Sequence, residues 1–136
     1  MSFVLDASAT VGWAFSDEVF KASLPALMRV QMSHAIAPAL WQFEVASALH
    51  KTLKDGRLSQ FQADSFLALL STLDIRLAPS PPGFARLLDL AKQFKLSIYD
   101  AAYLDLALEL RVPIATLDQD LADAARAAGV VCLLGI

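Results

Sequence analysis

Four acidic residues stand in settings that make a bare carboxylate costly: Asp6, Glu44, Asp100 and Asp118. Asp6 closes the apolar run Phe3-Val4-Leu5, and Asp118 closes another, Pro113-Ile114-Ala115-Thr116-Leu117. Glu44 and Asp100 each fall in a stretch of helical pattern dominated by apolar residues. Burying a carboxylate without a partner is unfavourable, so four of them in apolar surroundings point to a shared partner. A divalent cation bound by oxygen ligands is the simplest one. These are the places where a metal-dependent nuclease would need acids, since phosphodiester hydrolysis needs an activated water, in-line geometry and neutralised phosphate charge. In such a reaction a water is expected to attack phosphorus and leave a 5′-phosphate and a 3′-hydroxyl, with no side-chain nucleophile. Asp6 and Asp100 are expected as direct metal ligands, with Glu44 and Asp118 acting directly or through waters. Asp120, two residues past Asp118, is placed to support the metal through water.

These residues need elements to position them. Short apolar strands are expected at about 2–6, 35–37, 75–77, 113–117 and 131–134. Helices are expected at about 17–32, 38–55, 60–72, 81–95, 98–110 and 119–128. Gly56 and Gly129 fit helix stops, and Ser59 with Gln62 fits a capping box. Strands alternating with helices, and apolar along their whole length, indicate a parallel sheet covered on both faces. The expected fold is α/β, a three-layer α/β/α sandwich around a mainly parallel sheet of about five strands. Ligands in such sheets bind beyond the C-terminal strand ends, where the strand order reverses. Asp6 and Asp118 both lie at strand C-termini, and they converge if strands one and four are neighbours there.

Taken singly, three of the acids have ordinary explanations. Asp6 reads as the N-cap of the following turn, with Ser8 competing, and Asp118 as the cap of helix 119–128. Asp100 stands three residues after Ser97 and so fits a capping box. Glu44 has no such role. It is well inside its helix, on a strip with Leu40, Trp41, Ser47 and Ala48, and Lys51 is two turns away. Asp105 lies on another helical face from Asp100 and is expected to meet solvent or Arg111. As a set, three acids sit on one rim of the sheet and the fourth comes from a helix able to cross above it.

Bulk properties set limits. A chain of 136 residues reads as one domain spanning 1–136. It is 57% hydrophobic and 18% charged, apolar enough to suggest a surface covered by another copy or a dedicated partner. The lone cysteine, Cys132, reads as a buried small hydrophobe and fits a reducing, cytoplasmic setting. No signal peptide and no run near membrane length is evident. The net charge of −3 argues against a general nucleic-acid coat. It is compatible with a nuclease whose bound cations offset its acids. Lys51, Lys54 and Arg57, and separately Lys92 and Lys95, are basic clusters able to hold phosphates, although each alone suits a helix end.

The segments Val4-Leu5-Asp6-Ala7-Ser8, Phe43-Glu44-Val45-Ala46-Ser47-Ala48-Leu49, Tyr99-Asp100-Ala101-Ala102-Tyr103 and Thr116-Leu117-Asp118-Gln119-Asp120-Leu121 together resemble the PIN-domain family. The likeness is nearest to its VapC-type toxins of bacterial toxin–antitoxin pairs. It covers essentially the whole chain, in order. The resemblance implies an α/β/α nuclease fold and Mg²⁺- or Mn²⁺-dependent RNA cleavage. It matches Asp6, Glu44, Asp100 and Asp118 to the family's acidic quartet, and Ser8 and Thr116 to supporting hydroxyls. It also implies a homodimer and a cognate antitoxin whose tail fills the active-site groove.

Other chemistries fit poorly. His34 and His50 show no sign of pairing for metal-free RNA cleavage, and no Gly-x-Ser-x-Gly elbow is present. A signalling receiver domain would need adjacent acids after the first strand, where Ala7 follows Asp6, and a lysine at the end of the fifth strand. The remaining alternative is a non-catalytic PIN-like binding module that uses the acidic rim as an interaction surface.

Overall fold

The computed structural model describes all 136 residues. Four short strands, β1 (Phe3–Leu5), β2 (Ala35–Ala37), β3 (Ile75–Leu77) and β4 (Ile114–Ala115), form one parallel sheet in the order β3-β2-β1-β4. All three β1 side chains are buried, as expected for a strand covered on both faces. Seven helices connect the strands: α1 (Ala7–Gly12), α2 (Glu18–Met32), α3 (Leu40–Lys54), α4 (Gln60–Leu70), α5 (Phe84–Phe94), α6 (Ile98–Leu110) and α7 (Gln119–Ala127).

The strand order decides the layers. The chain steps outward from β1 to β2 to β3, then crosses back to place β4 on the other side of β1. Right-handed crossovers in opposite directions put α1–α4 on one face and α5–α7 on the other. Packing agrees: α1 meets α2 and α3, α3 meets α4, and α6 meets both α5 and α7. This is the three-layer α/β/α fold, with its strand order reversing between β1 and β4. No helix is long and apolar enough to cross a membrane.

Local signals act as their chemistry requires. The amide of Gln62 donates to Ser59 Oγ at 3.1 Å, and the Ser59 amide donates to Gln62 Oε1 at 2.9 Å, closing the capping box of α4. Gly56 and Gly129 have φ of +72° and +82°, the left-handed turn that ends a helix.

Two features differ from expectation. The fifth strand shrinks to a single bridge between Ile114 and Cys132. Two hydrogen bonds make it, from the Ile114 amide to Val131 O and from the Leu133 amide to Ile114 O, each 2.9 Å. β4 is only two residues long, so it offers a short outer edge for pairing. Cys132 is correspondingly half-buried rather than enclosed. The second difference is α1, which the sequence shows only as a turn. It is six residues long and almost wholly buried, so no polar face marks it. A Cβ at Gly12 would lie 2.7 Å from Ser23 Oγ, so glycine permits the close approach of α1 to α2.

Candidate active site

The reversal between β1 and β4 gathers the sheet-borne acids. The Asp6 amide donates to Ala115 O at 3.0 Å, which pins Asp6 to the end of β4. Asp6 is only 5% exposed. Its Oδ2 accepts from Ser8 Oγ and from Thr116 Oγ1, both at 2.6 Å, and neither hydroxyl engages Oδ1. A hydroxyl has one hydrogen and two lone pairs. Ser8 and Thr116 each give the hydrogen to Asp6, so their 3.2 Å separation is an oxygen–oxygen contact. Each also accepts a backbone amide from the segment after β4: Leu117 N to Ser8 Oγ at 2.9 Å and Asp118 N to Thr116 Oγ1 at 3.0 Å. The same two hydroxyls thus fix the carboxylate and the loop that carries Asp118.

Asp118 does cap α7, accepting the Leu121 amide on Oδ1 at 3.2 Å, and capping leaves Oδ2 available. Asp6 occupies the equivalent position before α1 yet makes no side-chain cap bond. Thr10 Oγ1 instead donates to the Asp6 carbonyl at 3.0 Å, and Trp41 Nε1 donates to Thr10 Oγ1 at 2.9 Å. Trp41 lies one turn before Glu44, so this relay fastens α3 to the end of β1.

Glu44 and Asp100 come from opposite helical layers. Glu44 is half-buried, and its Oε1 accepts the phenol hydrogen of Tyr103 on α6 at 2.7 Å. Asp100 lies one turn before Tyr103 on the same face of α6. Ser97 caps this helix by accepting the Asp100 amide at 3.1 Å, but Asp100 does not complete a capping box. Its carboxylate is left for the pocket. Tyr103 is the residue that the sequence reading missed. The signal was its spacing from Asp100, since a buried phenol needs a hydrogen-bond partner.

The charges of the four acids act on one another. Burial raises the Asp6 carboxyl above its usual range, the Ser8 and Thr116 hydrogen bonds oppose this, and the Asp118 charge adds to it. Glu44 is raised by burial and by the Asp6 and Asp118 charges, against the Tyr103 hydrogen bond. Asp100 is pushed up to about 7, by burial first and then by Asp118, Asp6, Glu44 and Asp120. Burial and the Asp6 and Glu44 charges raise the Tyr103 phenol, so it stays a donor. None of the four acids has a cationic partner. The molecule's ion pairs are Lys21–Glu18, Arg76–Asp74, Arg86–Asp105 and Arg126–Asp123.

The donor set suits a hard divalent cation, because every group offered is a carboxylate or hydroxyl oxygen. No three His, Cys, Asp or Glu side chains stand close enough to grip one ion together. The side chains as placed form no closed cage; a hydrated cation such as Mg²⁺ takes few direct carboxylates. Asp120 is exposed in the first turn of α7 and reaches the site through its charge on Asp100.

Asp105 corrects the expectation of solvent or Arg111. It is buried and accepts from Arg86 Nε on α5 at 2.7 Å. Arg111 is the C-cap of α6 in left-handed conformation, so the chain has already turned off the helix there. The histidines remain apart in role, His34 just before β2 and His50 exposed on α3.

No curated protein matches this chain. Its fold is similar to that in the crystal structure of PAE2754 from Pyrobaculum aerophilum, with a TM-score of 0.69 and 22% sequence identity over 98% of this chain and 92% of that one. At that identity the likeness bears on the fold alone. Residues 3–127 match the model of the PIN domain, a nuclease-type family whose members typically use a divalent metal. A match that runs from the first strand to the last helix shows that the chain belongs to the PIN domain family.

Proposed function

We propose that this chain, as a single PIN domain over residues 1–136, is a metal-dependent endoribonuclease and the toxin of a type II toxin–antitoxin pair. One observation supports the nuclease reading: the charges of Asp6, Glu44, Asp100 and Asp118 act against one another at buried or part-buried positions, and none of the four has a cationic partner. Such a cluster needs positive charge from outside the chain. Mg²⁺ or Mn²⁺, when bound, supplies Lewis acidity and lowers the pKa of water.

The chain's own residues do the positioning. Asp6 presents Oδ1 while Ser8 and Thr116 hold Oδ2. Asp100 and Asp118 offer carboxylate oxygens free of side-chain donors. Glu44 closes the pocket from the opposite helical layer. Asp120 extends the negative rim outward. The exposed Lys51, Lys54 and Arg57 lie at the far end of the Glu44 helix, with the Arg57 guanidinium 5.4 Å from the Phe15 ring centroid. They offer phosphate contacts to an RNA strand.

A homodimer and a cognate antitoxin complete the reading. Both require apolar surface, and the chain exposes Phe43, Phe61, Phe84 and Leu88.

The test is cleavage of RNA by purified protein with Mg²⁺ or Mn²⁺, with Asp6→Ala and Asp100→Ala as controls. Metal-dependent cleavage lost in both variants supports the reading. Cleavage that persists in both, or that survives EDTA, overturns it. Growth arrest on expression, relieved by the product of a short neighbouring reading frame, tests the toxin assignment separately. Light scattering tests the dimer.

A further inference from the structure

Glu44 and Asp6 are held in very different ways. Asp6 has two hydroxyl donors and a backbone pinned to β4. Glu44 is half-exposed on a longer side chain, and the Tyr103 hydroxyl is its only hydrogen-bond donor. A glutamate loses more rotamer freedom than most side chains when it is fixed, so what fixes it matters.

Tyr103 is well suited to do so. Its side chain is fully enclosed, which leaves the ring one orientation. The bond is short and charge-assisted. It is also the only side-chain hydrogen bond that joins a helix of the α1–α4 layer to a helix of the α5–α7 layer. It therefore ties the two helical layers together directly.

We propose that Tyr103 is a positioning residue, whose phenol hydroxyl holds the Glu44 carboxylate in one orientation and thereby sets how tightly the acidic site binds a divalent cation. The inference rests on the metal-dependent reading above. The placement of Tyr103 one turn after Asp100 lets a single face of α6 supply one pocket acid and the clamp for another.

The experiment reads metal binding rather than turnover. Mn²⁺ is titrated into the full chain without RNA and followed by electron paramagnetic resonance, for wild type, Tyr103→Phe, Glu44→Ala and the double variant. Melting in EDTA checks the fold of each. Tyr103→Phe removes one oxygen and keeps the ring, and it is expected to weaken Mn²⁺ binding roughly tenfold, as loss of an outer support does. In the Glu44→Ala background the same change is expected to be silent. Unchanged Mn²⁺ affinity in Tyr103→Phe, or an equal loss with and without Glu44, overturns the proposal. Should Tyr103→Phe not fold, Glu44→Asp carries the test, since it keeps the charge but withdraws it from the phenol. Wild-type affinity in Glu44→Asp overturns the proposal too. Wild-type protein that binds Mn²⁺ and leaves RNA intact refutes the nuclease reading, while the binding cycle still judges Tyr103. Wild-type protein that binds no Mn²⁺ overturns both.

Discussion

The two halves of the acidic pocket are built by different means. At the sheet end, Asp6 is buried, doubly bonded on one oxygen and tied to β4 through its own amide. On the helical side, Glu44 hangs from one phenol, and Asp100 has no side-chain donor at all. The strand end fixes its carboxylate through short-range bonds to a rigid frame. The helix pair offers charge with more freedom to adjust. Pre-organisation thus sits at β1 and β4, and adaptability at α3 and α6. A hydrated ion such as Mg²⁺ fits this division, because few of its ligands must be set in advance.

Substitutions at the two halves should therefore differ. Asp6→Asn is expected to lower metal-dependent RNA cleavage by on the order of 10³, the equivalent of several kcal/mol of charge stabilisation. Glu44→Gln, which keeps the phenol's acceptor, should cost about tenfold less than that. Single-turnover cleavage rates measure both, and equal losses would erase the distinction.

Thr116→Val is next. It leaves the Asp118 amide and half of Asp6 unsupported while keeping the side-chain shape. Cleavage should fall by roughly 10- to 100-fold, and chemical denaturation should show a loss of about 1–3 kcal/mol. A variant as stable as wild type would mean that the Asp6 corner is not pre-organised by this hydroxyl.

The pH dependence sharpens the helical side. Asp100 is raised from 3.8 to about 7 in the folded chain, so the folded state holds its proton longer than the unfolded state does. Stability then falls as pH rises from about 4 towards 7, and the raised Asp6 and Glu44 act in the same direction. Without metal, the melting temperature should decline over that range. Asp100→Asn should flatten the decline, and Mg²⁺ should reverse it for wild type. A melting temperature that rises with pH in EDTA would contradict the mutual repulsion on which the site depends.

The smallest effect is expected from Ser97→Ala. Loss of that N-cap should cost about 1 kcal/mol of stability. Cleavage should drop only slightly, because the turn that carries Asp100 loosens without losing a pocket group. A large drop in cleavage would place rigidity on the helical side as well.

Much of this was legible in the residues. Apolar runs ended by Asp6 and Asp118 place two acids at strand ends, and the strand–helix alternation dictates which end of the sheet they share. The capping box at Ser59 and Gln62 and the helix stops at Gly56 and Gly129 are local, and they form as read. Asp105 was misplaced because its partner, Arg86, is on another helix. Helical periodicity reports which face a residue occupies, not what packs against it. The short helix α1 escaped for a related reason: a segment buried on all sides leaves no amphipathic pattern to detect.

The sequence by itself determined four of the strands, the helices other than α1 and the parallel character of the sheet, because those follow from local periodicity, caps and turn chemistry. Tertiary structure alone decided that β4 lies against β1 and that Ser8 and Thr116 converge on one oxygen of Asp6. It alone decided that a tyrosine from one helical layer reaches a glutamate from the other. The Tyr103–Glu44 and Thr116–Asp6 bonds join residues 59 and 110 positions apart, and only the closing of the sheet brings such groups within hydrogen-bond reach.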